Sequence, residues 1–241
     1  MNLLCTETRG ICSWRERLVK PDSQWRRGYS AFETAVALEG ASSNPAGLPE
    51  PIGALFRNSV FGEGALLLAI AEHKVPLPGG QADSQCDVWA LLDTTAGLLS
   101  LSVEAKANEP FGADNESLEH WLDAGKSDKS KSNRAARWRY ISENLPLVDF
   151  DHYKDVPYQL LHRCAAGVIE AKRFRAPNAA LVVQAFAAPG ESFQMFSRLC
   201  SAVGVNAVRG QMQIVNAGDI RLGIGWADCP FATDTEVASV A

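Results

Sequence analysis

The chain has 241 residues, 46% of them hydrophobic, and a formal net charge of −5. That is enough apolar chain to bury a full core, and one domain spanning 1–241 is the simplest organisation. The acidic balance excludes a protein that coats nucleic acid over its whole surface, although one cleft with a local basic patch stays compatible with it.

The cysteines Cys5, Cys12, Cys86, Cys164, Cys200 and Cys229 are scattered without a CxxC pair. They read as buried free thiols of a reducing compartment rather than disulfides or zinc ligands. The opening MNLLCTETRGICSW has no sustained apolar leader, and no run approaches the roughly eighteen apolar residues of a membrane span. A cytoplasmic location is expected.

In chain order, a helical N-terminal segment covers about 1–58. Its basic, aromatic stretch from Trp14 to Arg27 suits tryptophans packed on a core with the charges left in water. A helix follows over Ser30–Leu38, capped by Ser30, and further helices are expected over Pro51–Asn58 and Glu63–Ala71. Glu72–Leu77 is the expected first strand, ended by Pro78-Gly79-Gly80. Two strands, Cys86–Leu92 and Leu98–Lys106, then flank a turn around Thr95-Ala96. A charged insertion of about 108–150 holds two short helices. Tyr158–Phe174 is a strong amphipathic helix, stopped by Pro177, and Ala180–Phe186 is a strand buried on both faces. A helix over Ser192–Val203 and one or two strands within Met212–Trp226 close the domain. The tail of about 228–241 is expected to be disordered. This order predicts an α/β protein with a central mixed sheet flanked by helices.

The hairpin carries the chemistry. A turn centred on Thr95 and Ala96 places Asp87 directly across from Glu104, with Cβ atoms about 4.5–5.5 Å apart on one face. Lys106, two residues beyond Glu104, projects from that face as well. Val88, Ala90 and Leu92 share the opposite, buried face with Leu99, Leu101, Val103 and Ala105. Facing carboxylates repel unless a divalent cation joins them, and such a cation is also a catalyst. The bland alternative is a solvated surface ion pair between Glu104 and Lys106.

Asp87 with Glu104-Ala105-Lys106 resembles the active site of the PD-(D/E)xK nuclease superfamily, although Cys86 stands where the name has Pro. The stretches AEHKVPLPGG, SQCDVWALL, VEAKANEPFG and VPYQLLHRCAAGVIEAKRF are similar to a bacterial family of uncharacterised proteins placed in that superfamily, from about Trp14 to Trp226. The resemblance implies a restriction-endonuclease-like core in which Asp87 and Glu104 hold Mg²⁺ (or Mn²⁺) and Lys106 serves the attacking water. It also implies a further acidic ligand, for which Glu63 and Glu72 are both available, and a polar residue from the helix after the hairpin, for which Gln159 is the candidate. Hydrolysis of nucleic-acid phosphodiesters is the implied function; a catalytically silent binding or regulatory module is the alternative.

Among other features, His162 reads as structural and Glu109 as closing the loop after Lys106. The run Lys126, Lys129, Lys131, Arg134, Arg137 and Arg139 is the natural place for phosphate contacts, with a solvated insertion as its plain alternative. Gly125-Lys126-Ser127 lacks the upstream glycine of a phosphate-binding loop, and the histidines lack zinc spacing.

Overall fold

The computed structural model describes residues 10–112 and 116–240, so Cys5 lies outside the described residues. Two single-turn helices, α1 (Cys12–Arg15) and α2 (Pro21–Gln24), lead into α3 (Ser30–Ala41) and α4 (Glu50–Arg57). A meander follows: β1 (Gly64–Val75), β2 (Ser84–Thr94) and β3 (Gly97–Lys106). The charged segment forms α5 (Leu118–Asp123), α6 (Asp128–Ser142) and α7 (Phe150–Tyr153). Then come α8 (Tyr158–Phe174), β4 (Asn178–Phe186), α9 (Gly190–Ala202), the hairpin β5 (Met212–Ala217) and β6 (Ile220–Cys229), and α10 (Asp234–Val240).

The strands form one sheet in the order β1-β2-β3-β4-β6-β5. The meander and the β5–β6 hairpin are antiparallel, whereas β3, β4 and β6 run parallel. A parallel β3–β4 pair needs a long crossover, and α8 supplies it. The expected α/β class, with a mixed sheet flanked by helices, is what the chain adopts.

Both faces of the sheet are covered. On one, Val88, Leu92, Leu101 and Val103 pack with Phe32, Val36, Leu55 and Phe56 of α3 and α4. On the other, Leu181, Val183, Ile224 and Trp226 pack with Leu161, Cys164 and Val168 of α8 and Phe196 and Leu199 of α9. Strands covered on both sides read as continuous apolar runs, and every residue of β4 is buried. Gly167 lets α8 lie close to the sheet: a Cβ there would stand 3.1 Å from the Ala180 carbonyl oxygen.

Three expectations are corrected. Glu63–Ala71 is not a helix, because Gly64–Val75 is an edge strand laddered to β2 with Ala69 opposite Ala90. Its Leu- and Ala-rich run has helical propensity, but pairing along the hairpin outweighs so weak a preference. Ser30 does not cap α3; Tyr29 holds the cap position with no side-chain bond, and the Glu33 carboxylate accepts from the Gly28 N–H instead, at 2.7 Å. The tail is not disordered. Its polar composition hides Val237 and Val240, three apart on α10, which pack onto the core beside α3.

Glu33 also accepts from the Ala232 N–H at 2.7 Å, so one buried carboxylate joins the N-terminal helices to the C-terminal segment. Hydrogen bonds to a charged group each contribute about 1.5–3 kcal/mol. Glu33→Ala should lower the urea-unfolding free energy by about 2–4 kcal/mol and release α10 first. Amide exchange that stays unchanged at residues 234–240 would contradict this.

Candidate functional site

The hairpin register places the charged residues. Val88 pairs with Val103 and Leu91 with Ser100, the register that the turn predicts; beyond Val88 the ladder gives way, and the Ala105 N–H donates to the Asp87 carboxylate instead, which keeps Asp87 beside Glu104. On the other side of β2, Ala71 pairs with Val88 and His73 with Cys86, which brackets Glu72 against Asp87. Glu72, Asp87 and Glu104 therefore form a row across three neighbouring strands at one end of the sheet. Adjacent strands are about 4.8 Å apart.

Each member of the row is held differently. Asp87 is partly exposed, and its Oδ2 accepts from the Ala105 N–H at 2.6 Å. Glu72 accepts from the Gln85 side-chain amide. It sits at φ 56, a left-handed backbone that non-glycine residues rarely adopt. Such strain costs on the order of 1–3 kcal/mol and persists where its surroundings enforce it. Glu104 is 0% exposed: Lys106 Nζ lies 2.8 Å from its Oε1 and Arg163 Nε 2.6 Å from its Oε2.

The protonation states follow. Burial raises the Asp87 pKa well above 3.8, and the Glu104 and Glu72 charges push it the same way. Burial would raise Glu104 too, but Lys106 and Arg163 outweigh it and hold it below the usual carboxylate value. Lys106 keeps its proton, since Glu104 and Asp87 overcome the desolvation that opposes its charge. The row thus has one firmly ionised member and one that resists ionisation. An added cation would relieve that repulsion.

Arg163 was not visible as a site residue from the sequence, although it carried a signal. Arg163, Gly167 and Glu170 fall at i, i+4 and i+7 on α8, a stripe beside the apolar face. That stripe lies on the meander: Arg163 on Glu104, Gly167 near Ser102, and Glu170 on His73 at 3.7 Å. Arg163 Nη1 also donates to Ser84 Oγ at 3.3 Å, and Ser84 Oγ meets His162 Nδ1 at 2.8 Å. Burial, then Arg163, push the His162 pKa well below 6.5, so it stays neutral and structural.

The remaining expected residues separate. Glu63 is excluded from the row: it precedes β1 beside the hairpin turn, where its carbonyl accepts from the Thr95 N–H. Nine residue steps along the strand, about 30 Å, divide it from Glu72. Gln159 lies one turn before Arg163 on α8; no hydrogen bond joins it to Asp87, Glu104 or Lys106, and its Oε1 is buried without a partner. Glu109 accepts from the Ala107 N–H at 3.3 Å, closing the loop as expected. In the basic run, Arg137 is buried and donates to the carbonyls of Pro78 and Ala82, so it is not a solvated charge. Lys126, Lys129, Lys131 and Arg139 are exposed.

The model of a domain of unknown function, DUF6946, matches residues 7–230. The chain belongs to that family. No curated protein and no solved structure matches it significantly. Among the described residues, no group of three or more His, Cys, Asp or Glu side chains is arranged to hold a metal ion, and no helix is long and apolar enough to cross a membrane.

The row makes a pH-dependent prediction. Folded Asp87 keeps its proton to higher pH than the unfolded residue, so folding stability falls as pH rises from 3.8 through the raised value. Asp87→Asn, which can still accept from Ala105, removes that penalty. Its Tm should exceed the parent's by about 2–4 °C near pH 8, with no difference near pH 3.5. A gain that is equal at both pH values would rule out the raised pKa of Asp87 as its cause.

Proposed function

We propose that this protein is a metal-dependent phosphodiesterase of nucleic acid, of the PD-(D/E)xK nuclease type. The observation that carries the reading is the contact set at the end of the β2–β3 hairpin, where Asp87 accepts from the Ala105 N–H and Lys106 pairs with Glu104. The strand order supports it: the Asp is on the middle strand of a meander, and Glu-x-Lys is on the strand that pairs in parallel with β4 after the α8 crossover.

The donors suit Mg²⁺ or Mn²⁺ in kind, since carboxylate oxygens are the preferred ligands of hard cations. Burial first, and the Glu104 and Glu72 charges after it, raise the Asp87 pKa, and a cation bound there would oppose both effects. Asp87 and Glu104 would hold the ion, with Glu72 as the neighbouring acid of the row. A bound ion would polarise the scissile phosphate and lower the pKa of water. Lys106, protonated beside Glu104, orients that water and offsets charge on the phosphate rather than acting as a base. Arg163 sets the limit on the arrangement, because Glu104 would serve an ion only with its Arg163 contact loosened.

That same contact favours a second reading. A fully buried Glu104 with both oxygens engaged is also what a catalytically silent fold would keep as a structural ion pair. Incubation with plasmid, single-stranded DNA and RNA in Mg²⁺ or Mn²⁺ separates the two. The enzyme reading expects cleavage that Asp87→Ala abolishes. Lys106→Ala should lose about 10²–10⁴-fold in rate while keeping the metal-dependent rise in Tm, since an ammonium cannot ligate a cation. No cleavage and no metal-dependent rise in Tm would leave the silent fold.

A further inference from the structure

We infer that the cleft between the first turns of α6 and the loop from Gly79 to Ala82 grips the phosphate backbone of a nucleic acid. This rests on the phosphodiesterase reading above and locates where such a substrate is held. The cleft is walled by Lys129, Arg134 and Arg137 with Ser127, Ser130 and Asn133, and by the loop and Trp121 opposite. Among the described residues no Asp or Glu lines it, in a chain whose net charge is −5.

The state of the two arginines points to an absent anion. Arg137 is 8% exposed, and its guanidinium donates to two neutral acceptors, the Pro78 carbonyl at 3.0 Å and the Ala82 carbonyl at 2.6 Å. Arg134 donates to the Trp121 carbonyl and lies 4.8 Å from that indole's centre. Among the described residues neither has a carboxylate partner, unlike Arg163, whose charge is met by Glu104. Tyr158 interacts with Arg137, but burial pushes its pKa up to about 12, so it is a neutral phenol and no counter-charge. A buried cation without an anion is costly, and carbonyls offset only part of that cost.

Two more features shape the ligand. The cleft opens on the first turn of α6, a helix of 15 residues capped by Ser127; that turn also carries Asp128, which is not among the lining residues but offsets part of the positive potential of the helix end. Gly79 packs so tightly on α6 that a Cβ would fall 2.0 Å from the Asn133 carbonyl oxygen, which fixes the loop against the cations. The nearby rings are already engaged: Trp121 stacks on Tyr158 at 3.7 Å, and Trp138 meets Tyr153 at 5.5 Å. With those rings occupied, the contact is to phosphate rather than base, and is indifferent to sequence.

The cleft also lies at the correct end of the sheet. Ala82 is two residues before Ser84, whose hydroxyl accepts from Arg163, which in turn holds Glu104. The five residues from Ala82 to Asp87 span at most about 18 Å. A strand gripped in the cleft therefore passes within a few nucleotides of the carboxylate row.

The test is fluorescence anisotropy of labelled single- and double-stranded oligonucleotides in EDTA at two salt concentrations. The variant Lys129→Glu with Asn133→Asp is compared with the control Lys126→Glu with Arg139→Gln, which makes the same change in net charge outside the cleft. The cleft variant should lose about tenfold or more in affinity, with a salt slope shallower by about one. The control should stay within about twofold. Unchanged melting curves for both confirm that each is folded. Equal losses in the two variants, or none in the cleft variant, overturn the grip. So does a parent protein that binds anionic phospholipid vesicles but not oligonucleotides. Because no metal is present, binding without later Mg²⁺-dependent cleavage would sink the catalytic reading and leave the grip standing. Cleavage by a parent whose cleft variant binds normally would do the reverse.

Discussion

Glu104 is a carboxylate sealed from water, and two cations from different elements keep it ionised there. Lys106 comes from its own strand, two residues on; Arg163 comes from α8, 59 residues away. A buried charge is tolerable only when it is paired, and removing one partner of such a pair typically costs about 3–5 kcal/mol. The contact therefore pins α8 onto the meander as well as neutralising a side chain. Ser84 and His162 extend it, so the start of β2, the end of β3 and the first half of α8 share one polar network beneath an otherwise apolar layer.

That network is unevenly balanced. Arg163 and Lys106 neutralise Glu104, but its neighbours in the row have weaker support: a backbone N–H for Asp87, and the Gln85 amide with a left-handed backbone for Glu72. A row built for stability alone would place a hydroxyl or an amide at one of these positions. Glu72 with its left-handed backbone and Asp87 resisting ionisation are the features on which the proposed site rests. The same imbalance recurs with opposite sign beside it, where among the described residues Arg134 and Arg137 have carbonyls for company but no carboxylate. Carboxylates only partly neutralised and guanidiniums held by carbonyls, at the same end of one sheet, are complementary demands, which the proposed phosphodiester substrate with its divalent ion would meet together.

Much of the fold was legible along the chain. The hairpin register followed from a short turn, because a local loop leaves few ways to pair and every step then follows with period two. Tyr158–Phe174 was plain from its apolar stripe and the Pro177 stop, and the buried β4 from its unbroken apolar run. Asp87 and Glu104 came with the register, each one residue beyond the Val88–Val103 pair, and Lys106 two residues further along β3. Local pattern failed where propensity and environment disagree. The Leu–Ala run of β1 favours helix in isolation and became a strand because β2 offered a ladder; the polar tail became α10 because a hydrophobic face was already waiting for Val237 and Val240.

The sequence by itself determined the mixed sheet and the hairpin register that brings Asp87 and Glu104 to the same end of neighbouring strands, which depend on contacts close in the chain or on a clear periodicity. Only the tertiary structure decided that Glu72 and not Glu63 joins the row, since that choice rests on which end of β1 meets Asp87. It alone decided that Glu104 is sealed by Arg163, and that Arg137 is a buried strut rather than a surface charge. Those outcomes depend on where a helix lands on a sheet. That landing is set by the summed packing of two hydrophobic layers, and no spacing within one segment encodes it.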